Sequence, residues 1–427
     1  MSDKKYDFVI VGSGAGGATL ANELSGKGKS VVVIEKGVKE EKLGSFLDCS
    51  RYYDLTAMKM AKKSKEGVIL WRSIMEGGST GVSCGNSVRC LEKELAEFGI
   101  NLEEEYKEAE EETNTIPYDI RRLSSGSKRF MEVSSELGYT FEAVPKFIDP
   151  KKCRRCGKCV YGCQYDAKWT ASKYLNSAIN KGTDVLYNSV AESVIITNGT
   201  ARGVNVKGKN GRSEVIADAV ILSAGGFASP IILQHSGLNR AGQNFFMDMR
   251  VNTYGNAKGL DQTNEPTMSL VSHDFYKSDG FILSPYIQQY RMVRFLEAGW
   301  RGMLMPADGM IGIMAKTADD STGRVFPDGT FSKTITPADK KKLDKGAEIS
   351  REILLKAGAD SKTIFHTKIA GDHPGGTAAI GKVVDNTLQT EVNNLFVCDG
   401  SVLPVSPGEP PILTIIALAK RLAKSIA

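Results

Sequence analysis

Cys153-x-x-Cys156-x-x-Cys159-x-x-x-Cys163 is the run in this chain best spaced for chemistry. Thiolates at such intervals on a short irregular loop wrap a cubane in bacterial ferredoxin loops, where the fourth cysteine of a two-cluster protein serves the other cluster. Gln164 stands where a proline usually follows. The fourth ligand is therefore Cys163 or one of the distant cysteines Cys49, Cys84, Cys90 and Cys398. Three readings compete: an iron–sulfur cluster, expected as 4Fe–4S; a structural zinc; and thiols without metal. Zinc sites favour two separated Cys-x-x-Cys knuckles, so one compact run favours the cluster. The basic residues interleaved between Lys151 and Lys158 are either a solvated loop or a positive collar around an anionic metal–thiolate centre.

A second site is written in glycines. Tyr6 to Val11 (YDFVIV) is a short apolar run, Gly12-Ser13-Gly14-Ala15-Gly16-Gly17 follows, and Ala18, Ala21 and Leu24 recur at helical spacing. That order is strand, glycine turn, helix. Gly12 permits the tight turn, Gly14 with Ala15 beside it lets the backbone approach a pyrophosphate, and Gly17 lets the helix lie close to the strand. The helix N-terminus then faces phosphate charge. A second strand, Ser30 to Ile34, ends in Glu35, placed where an acidic residue binds the ribose hydroxyls of a dinucleotide. Glu35 disfavours a 2′-phosphate, so the turn points to FAD or NAD and does not choose between them.

The scaffold behind these sites is globular. At 427 residues with 41% apolar and 25% charged side chains, the chain is long enough for one large core or two domains sharing an interface. The formal charge of +5 is a small difference between 55 basic and 50 acidic residues; no basic stripe or stacking motif makes a case for nucleic acid. Met1-Ser2-Asp3-Lys4-Lys5 leads directly into a strand, which predicts a cytoplasmic protein. Apolar runs such as Ile412 to Ala419 fall far short of the roughly 20 residues of a membrane span, so no transmembrane segment is expected. In that setting, eight cysteines with four clustered argue for metal or redox chemistry over disulfides. Val185 to Leu222, with turns at Asn198-Gly199 and Asn210-Gly211, reads as a strand series. Met310 to Lys316 and Gly323 to Phe326 read as strands of another sheet, Pro337 to Ala357 as an amphipathic helix, and Glu103 to Glu112 as a solvated helix face.

Further along, His373-Pro374-Gly375-Gly376-Thr377-Ala378-Ala379-Ile380-Gly381, then VVDNTLQTEVNNLFVCDGSVLP and an apolar helix, resembles the closing signature of the glucose-methanol-choline oxidoreductases. Gly77-Gly78-Ser79-Thr80 through Asn86 and Arg89 resembles that family's second glycine motif beside the flavin. Ala224-Gly225-Gly226-Phe227-Ala228-Ser229-Pro230 through Leu238 resembles its internal signature. The resemblance implies FAD along the first glycine turn, an adenine contact from the backbone at Val190, and ribityl and pyrophosphate contacts from Asp399 and Gly400. It also implies that His373 takes the hydroxyl proton while hydride passes to flavin, a task suited to an imidazole that titrates near neutrality. The other histidines, at 235, 273 and 366, lie outside the motif. The cysteine run, with Gly157, Gly162 and Lys168, also resembles one in long-chain alcohol oxidase relatives, and so supports the family more firmly than the metal.

One place departs from the pattern. Where the family sets a second histidine or an asparagine ahead of the last helix, PGEPPILT holds Pro410, with Glu409 beside it. Glu409 is the candidate second acid–base group; turn geometry explains the segment about as well.

The expected fold is α/β: a discontinuous Rossmann-like FAD-binding domain with a smaller α+β substrate domain on an antiparallel sheet. The FAD-binding parts are residues 1–95, 176–240 and 366–427; residues 96–145 form a helical cap, 146–175 the cysteine loop and 241–365 the substrate domain. The expected function is an FAD-dependent dehydrogenase on a small hydroxyl or carbonyl substrate, with electrons relayed by the cluster to an acceptor protein or partner subunit. The alternatives are a flavin and iron–sulfur reductase or isomerase acting on a C=C bond or ketone, and an electron-transfer subunit with a vestigial substrate site.

Overall fold

Val31 to Ile34 and the C-terminal half of Tyr6–Val11 are buried throughout, as inner strands of a parallel sheet covered on both faces require. The computed structural model describes residues 4–39, 43–55 and 62–427. Its first sheet runs in the order Asp184–Leu186, Val31–Ile34, Tyr6–Val11, Gly211–Leu222, Thr200–Gly208, Val190–Thr197, with Leu395–Val397 also paired to Gly211–Leu222. The pairings among the first four strands, and that of Leu395–Val397, are parallel. The Thr200–Gly208 pairings are antiparallel. The seven strands thus come from three separated stretches, the discontinuity that the sequence order predicts.

Helix Ala15–Gly26 follows the first strand and packs against Ala171–Asn180 and Ile412–Ile426. Glycine makes the approach possible: a Cβ on Gly17 would lie 2.0 Å from the Gly12 carbonyl oxygen, and one on Gly16 would lie 2.0 Å from that of Cys398. Helix Glu103–Glu112 is less solvated than its composition suggests. Tyr106, Ala109 and Glu105 are buried, and it docks on the last helix through Lys420–Glu112 at 2.7 Å and Lys424–Glu105 at 2.8 Å.

The second sheet runs Phe281–Pro285, Met310–Thr317, Met249–Asn256, Ala370–Gly371, Ile69–Leu70, Lys62–Lys63, with Phe365–His366 also on Met249–Asn256. It is antiparallel except where Ala370–Gly371 meets Ile69–Leu70. Helix Pro337–Lys356, capped by Thr336, covers this sheet with Leu343, Ala347, Ile349 and Ile353 buried. Gly323 to Phe326 contributes only the two-residue strand Arg324–Val325, in a hairpin with Phe331–Ser332. Among the described residues no helix is long and apolar enough to cross a membrane.

Candidate active site

A cavity of ≈ 510 Å3 lies where the two sheets meet. Gly12, Ser13, Gly14, Ala15 and Gly16 form one end; Glu35, Gly78, Asn86, Val190, Asp399 and Gly400 also line the cavity, Gly400 beside Pro374 of the His373 motif. Glu35 is buried and accepts from the Ser13 amide and hydroxyl at 3.0 and 2.6 Å and from the Gly37 amide at 2.6 Å. Burial pushes its carboxyl above the ordinary range, against those hydrogen bonds. Asp399 accepts from Ser229 at 2.5 Å, Gly225 at 2.8 Å and Ser401 at 2.7 Å, tying the last segment to the internal glycine signature. A dinucleotide fits this end: nothing lies within 4 Å of a Cβ built on Gly14, so the backbone there faces open space at a helix N-terminus.

Gly17 and Gly77 stand behind this wall and do not line it. Gly17 serves helix packing, and Gly77, at φ 76°, caps the turn Gly78–Val82. Arg89 is also outside, paired with Glu110 and Glu103 at 2.7 and 2.8 Å.

The second sheet supplies the other end. Residues opposite each other in an antiparallel pair share a face, and Arg250 is opposite Lys316; both line the cavity, as does Met314 two residues before Lys316. His373, from the C-terminal motif, joins them. Its Nδ1 is 2.8 Å from Asp248 Oδ2 and 2.7 Å from Lys316 Nζ. Asp248 is fixed in turn by Ser406 at 2.5 Å and the Gly408 amide at 3.0 Å. Burial, then the Lys316 charge, lowers the His373 pKa from its ordinary value, with Asp248 opposing. Arg250 pairs with Asp372 at 2.6 Å and Glu297 at 2.9 Å. Burial alone would raise the Asp372 carboxyl, but Arg250, with Lys316, holds it below the ordinary range.

Glu409 is not brought to His373. It binds His273 Nε2 at 2.7 Å, and Pro410 and Pro411 line the cavity in its stead. His366 binds the Thr253 hydroxyl at 3.0 Å, and His235 lies against the Glu192 and Pro327 carbonyls. Lys316, Asp248, Arg250, Glu297 and Asp372 escaped the sequence reading. The available signals were Lys316 at the end of the otherwise apolar MIGIMAK and Asp372 directly before His373.

Cys153, Cys156, Cys159 and Cys163 line one small cavity of ≈ 20 Å3. Two backbone amides, of Arg155 and Ala167, point at the sulfurs of Cys153 and Cys163, each at 3.4 Å. Among the described residues no group of three or more His, Cys, Asp or Glu side chains stands close enough to hold a metal ion. The large cavity begins one residue away: Val160 and Tyr161, within the turn Cys159–Tyr161, line it, as does Cys84. Cys49 Sγ and Tyr53 OH donate to the Tyr161 and Val160 carbonyls at 2.5 Å. From inside, buried Lys168 donates to the carbonyls of Gly81, Ser83 and Cys159 at 2.9, 2.7 and 3.1 Å. The cysteine loop is thereby bolted to the second glycine turn.

Comparison with known proteins agrees with this layout. The N-terminal GMC oxidoreductase family model matches residues 6–250 and the C-terminal one residues 314–419. An uncharacterized protein of Methanocaldococcus jannaschii is 31% identical over 99% of this chain and 100% of its own length. A long-chain-alcohol oxidase of Arabidopsis thaliana is 23% identical over 99% of this chain and 67% of its own. Among solved structures, formate oxidase of Aspergillus oryzae superposes with a TM-score of 0.77 at 16% identity, covering 100% of this chain and 99% of that one. Pyridoxine 4-oxidase from Mesorbium loti gives 0.74 at 17%, covering 99% of both. At those identities the two structures speak for the fold.

Proposed function

The chain belongs to the GMC oxidoreductase family, and from that membership we propose that it is an FAD-dependent dehydrogenase exchanging hydride with a small hydroxyl or carbonyl substrate. The observation that carries the reading is that His373 and the Gly12–Gly16 turn line one cavity. FAD, held by Gly12, Gly14, Ala15, Glu35, Gly78, Asn86, Val190, Asp399 and Gly400, supplies the hydride acceptor. The remaining domain boundaries follow the same reading: FAD-binding segments at both ends and in the middle, the substrate side between them.

The protein's own part is proton handling. Nδ1 of His373 cannot serve both neighbours at once, since it donates to Asp248 only when it carries the proton and accepts from Lys316 only when it does not. With Nδ1–H held by Asp248, Nε2 is a base for a substrate hydroxyl. With Nδ1 accepting from Lys316, Nε2–H is an acid for a carbonyl. Lys316, not Glu409, is therefore the partner of His373 in this reading, and its positive charge favours the oxyanion that forms as the proton leaves. That second tautomer also favours the reductase alternative on a ketone. The vestigial-subunit alternative has less support, because His373, Asp248 and Lys316 contact one another at the cavity.

We further propose that Cys153, Cys156, Cys159 and Cys163 hold a 4Fe–4S cluster. The reading rests on the spacing of the four cysteines, and amide hydrogen bonds to sulfur are a usual tuning device. Held by these four cysteines, a cluster would supply one-electron chemistry next to Val160 and Tyr161, which line the large cavity. Anaerobic purification, with iron, sulfide and flavin quantified, tests the cofactors; mixing with a panel of alcohols and, after reduction, ketones tests the reaction. Absence of flavin absorbance, or flavin that no donor or acceptor in the panel changes, overturns the dehydrogenase reading. Flavin without iron overturns the cluster alone.

A further inference from the structure

Helix Arg291–Leu304 is turned the opposite way to an ordinary surface helix, which hides its apolar stripe and exposes its charges. Arg294 and Glu297 are fully buried. Arg294 donates to the carbonyls of Gly302, Gln288, Gln289 and Met305 at 2.8 to 3.0 Å, and Glu297 is held by Arg250. The large apolar side chains face out: Met292 is 51% exposed, Trp300 66% and Leu304 75%, with Phe295, Leu296 and Met303 half-buried. Gly299, at φ 63°, breaks the helix in two. The outward residues repeat at i, i+3, i+4 in each piece, as Met292, Phe295, Leu296 and as Trp300, Met303, Leu304. Beside the first piece, through a Phe46–Tyr290 ring contact at 6.0 Å, the short helix Phe46–Cys49 carries Leu47 at 81% exposure. An exposed apolar face of this kind marks an interaction surface.

Its charges choose the partner. The exposed ionisable residues on the helix are Arg291 and Arg301, and exposed Lys368 adjoins it, its backbone amide 2.8 Å from the Glu297 carbonyl. The helix exposes no acid; Glu297 is buried. The nearest acids are Asp48, on the short helix and 3.9 Å from Arg51, and Asp308, beyond the helix end, so a second copy docking through the same face would set the helix's own arginines against each other. Trp, Leu and Met on one face with arginines at the edge are the makings of a helix that lies in a bilayer interface, and cations there are drawn to anionic headgroups. We propose that this face docks on an anionic phospholipid bilayer, with Met292, Trp300 and Leu304 at the headgroup–acyl boundary and Arg291 and Arg301 on the phosphates. The helix is 14 residues long and lies on the bilayer without crossing it. Val293 and Glu297 of the same helix line the large cavity, so docking sets the cavity wall against the lipid.

The test is sedimentation of the purified flavoprotein with vesicles of phosphatidylcholine, alone or mixed with phosphatidylglycerol, read also by tryptophan emission. The wild type is expected to sediment with the phosphatidylglycerol vesicles and to shift its emission to the blue. Arg291→Gln with Arg301→Gln is expected to weaken that binding about 25-fold, two surface cations each contributing about fivefold. Trp300→Ser with Leu304→Ser is expected to abolish binding and shift while keeping flavin absorbance, since both side chains are mostly in solvent. Wild-type protein left in the supernatant of both vesicle types overturns the proposal. So does a dimer that Trp300→Ser with Leu304→Ser splits, in protein that binds no vesicle. None of these readouts depends on turnover, so the proposal stands or falls apart from the dehydrogenase reading.

Discussion

Lys316 Nζ stands 2.7 Å from Nδ1 of His373, and with that contact a buried cation faces the imidazole proposed as the base. The base works only when neutral, so kcat/KM falls as pH drops through the His373 pKa. Burial first, and Lys316 second, lower that pKa, which extends activity towards acid. Lys316→Met removes the second cause, so the acidic limb of the kcat/KM profile moves to higher pH. Lys316→Arg keeps the charge and leaves the limb nearer its original place. A loss of rate at every pH with an unmoved limb would show Lys316 to be structural.

His373→Asn tests the base itself. Removal of a positioned general base costs about 10²- to 10⁴-fold in the chemical step. The expected result is that loss in the first-order rate of anaerobic flavin reduction, with unchanged flavin content, because the glycine turn and Glu35 are held by contacts of their own. Loss of flavin along with rate would place His373 in cofactor binding.

The two ends of the site were unequally legible. Gly12 to Glu35 were readable because strand, turn and helix are local, and each glycine answers a local steric demand; Gly17 meets the Gly12 carbonyl within one turn of chain. Lys316 and Arg250 were not. They become neighbours only through the pairing of Met249–Asn256 with Met310–Thr317, a register that side-chain periodicity does not set when both strands are buried on both faces. Glu409 misled for a similar reason: proximity to the motif in sequence did not show that His273, 136 residues away, would claim it.

The cysteine loop separates two candidate fourth ligands. Cys163 shares the small cavity with Cys153, Cys156 and Cys159, whereas Cys84 lines the large one. Cys163→Ser is expected to lose most iron and sulfide on anaerobic purification while keeping flavin, and Cys84→Ser to keep both. The reverse pattern would make Cys84 the ligand.

Lys333 and Asp319 form an ion pair at 2.7 Å in which neither side chain is exposed. Lys333→Met strands the Asp319 carboxylate, and breaking a buried pair from one side costs about 3–5 kcal/mol. Chemical denaturation should show a loss of that size. Lys340→Ala breaks the Lys340–Asp344 pair, in which both side chains are more than half exposed, and should change stability by less than about 1 kcal/mol.

Gly14 and Gly17 lie three residues apart in one motif and should fail in different ways. A Cβ on Gly17 would sit 2.0 Å from the Gly12 carbonyl oxygen and 3.2 Å from Ile10 Cγ2. Gly17→Ala therefore forces the helix off the strand, at about 1–3 kcal/mol or more, and lowers the thermal midpoint of the flavin-free protein. Gly14 has φ −69° and ψ −165°, which alanine adopts without strain, and open space where its Cβ would go. Gly14→Ala should leave the flavin-free midpoint unchanged, yet weaken FAD binding by on the order of tenfold or more, because the added methyl takes space that a pyrophosphate needs. Titration of both flavin-free variants with FAD decides it: full affinity in Gly14→Ala would move the pyrophosphate away from the first glycine turn.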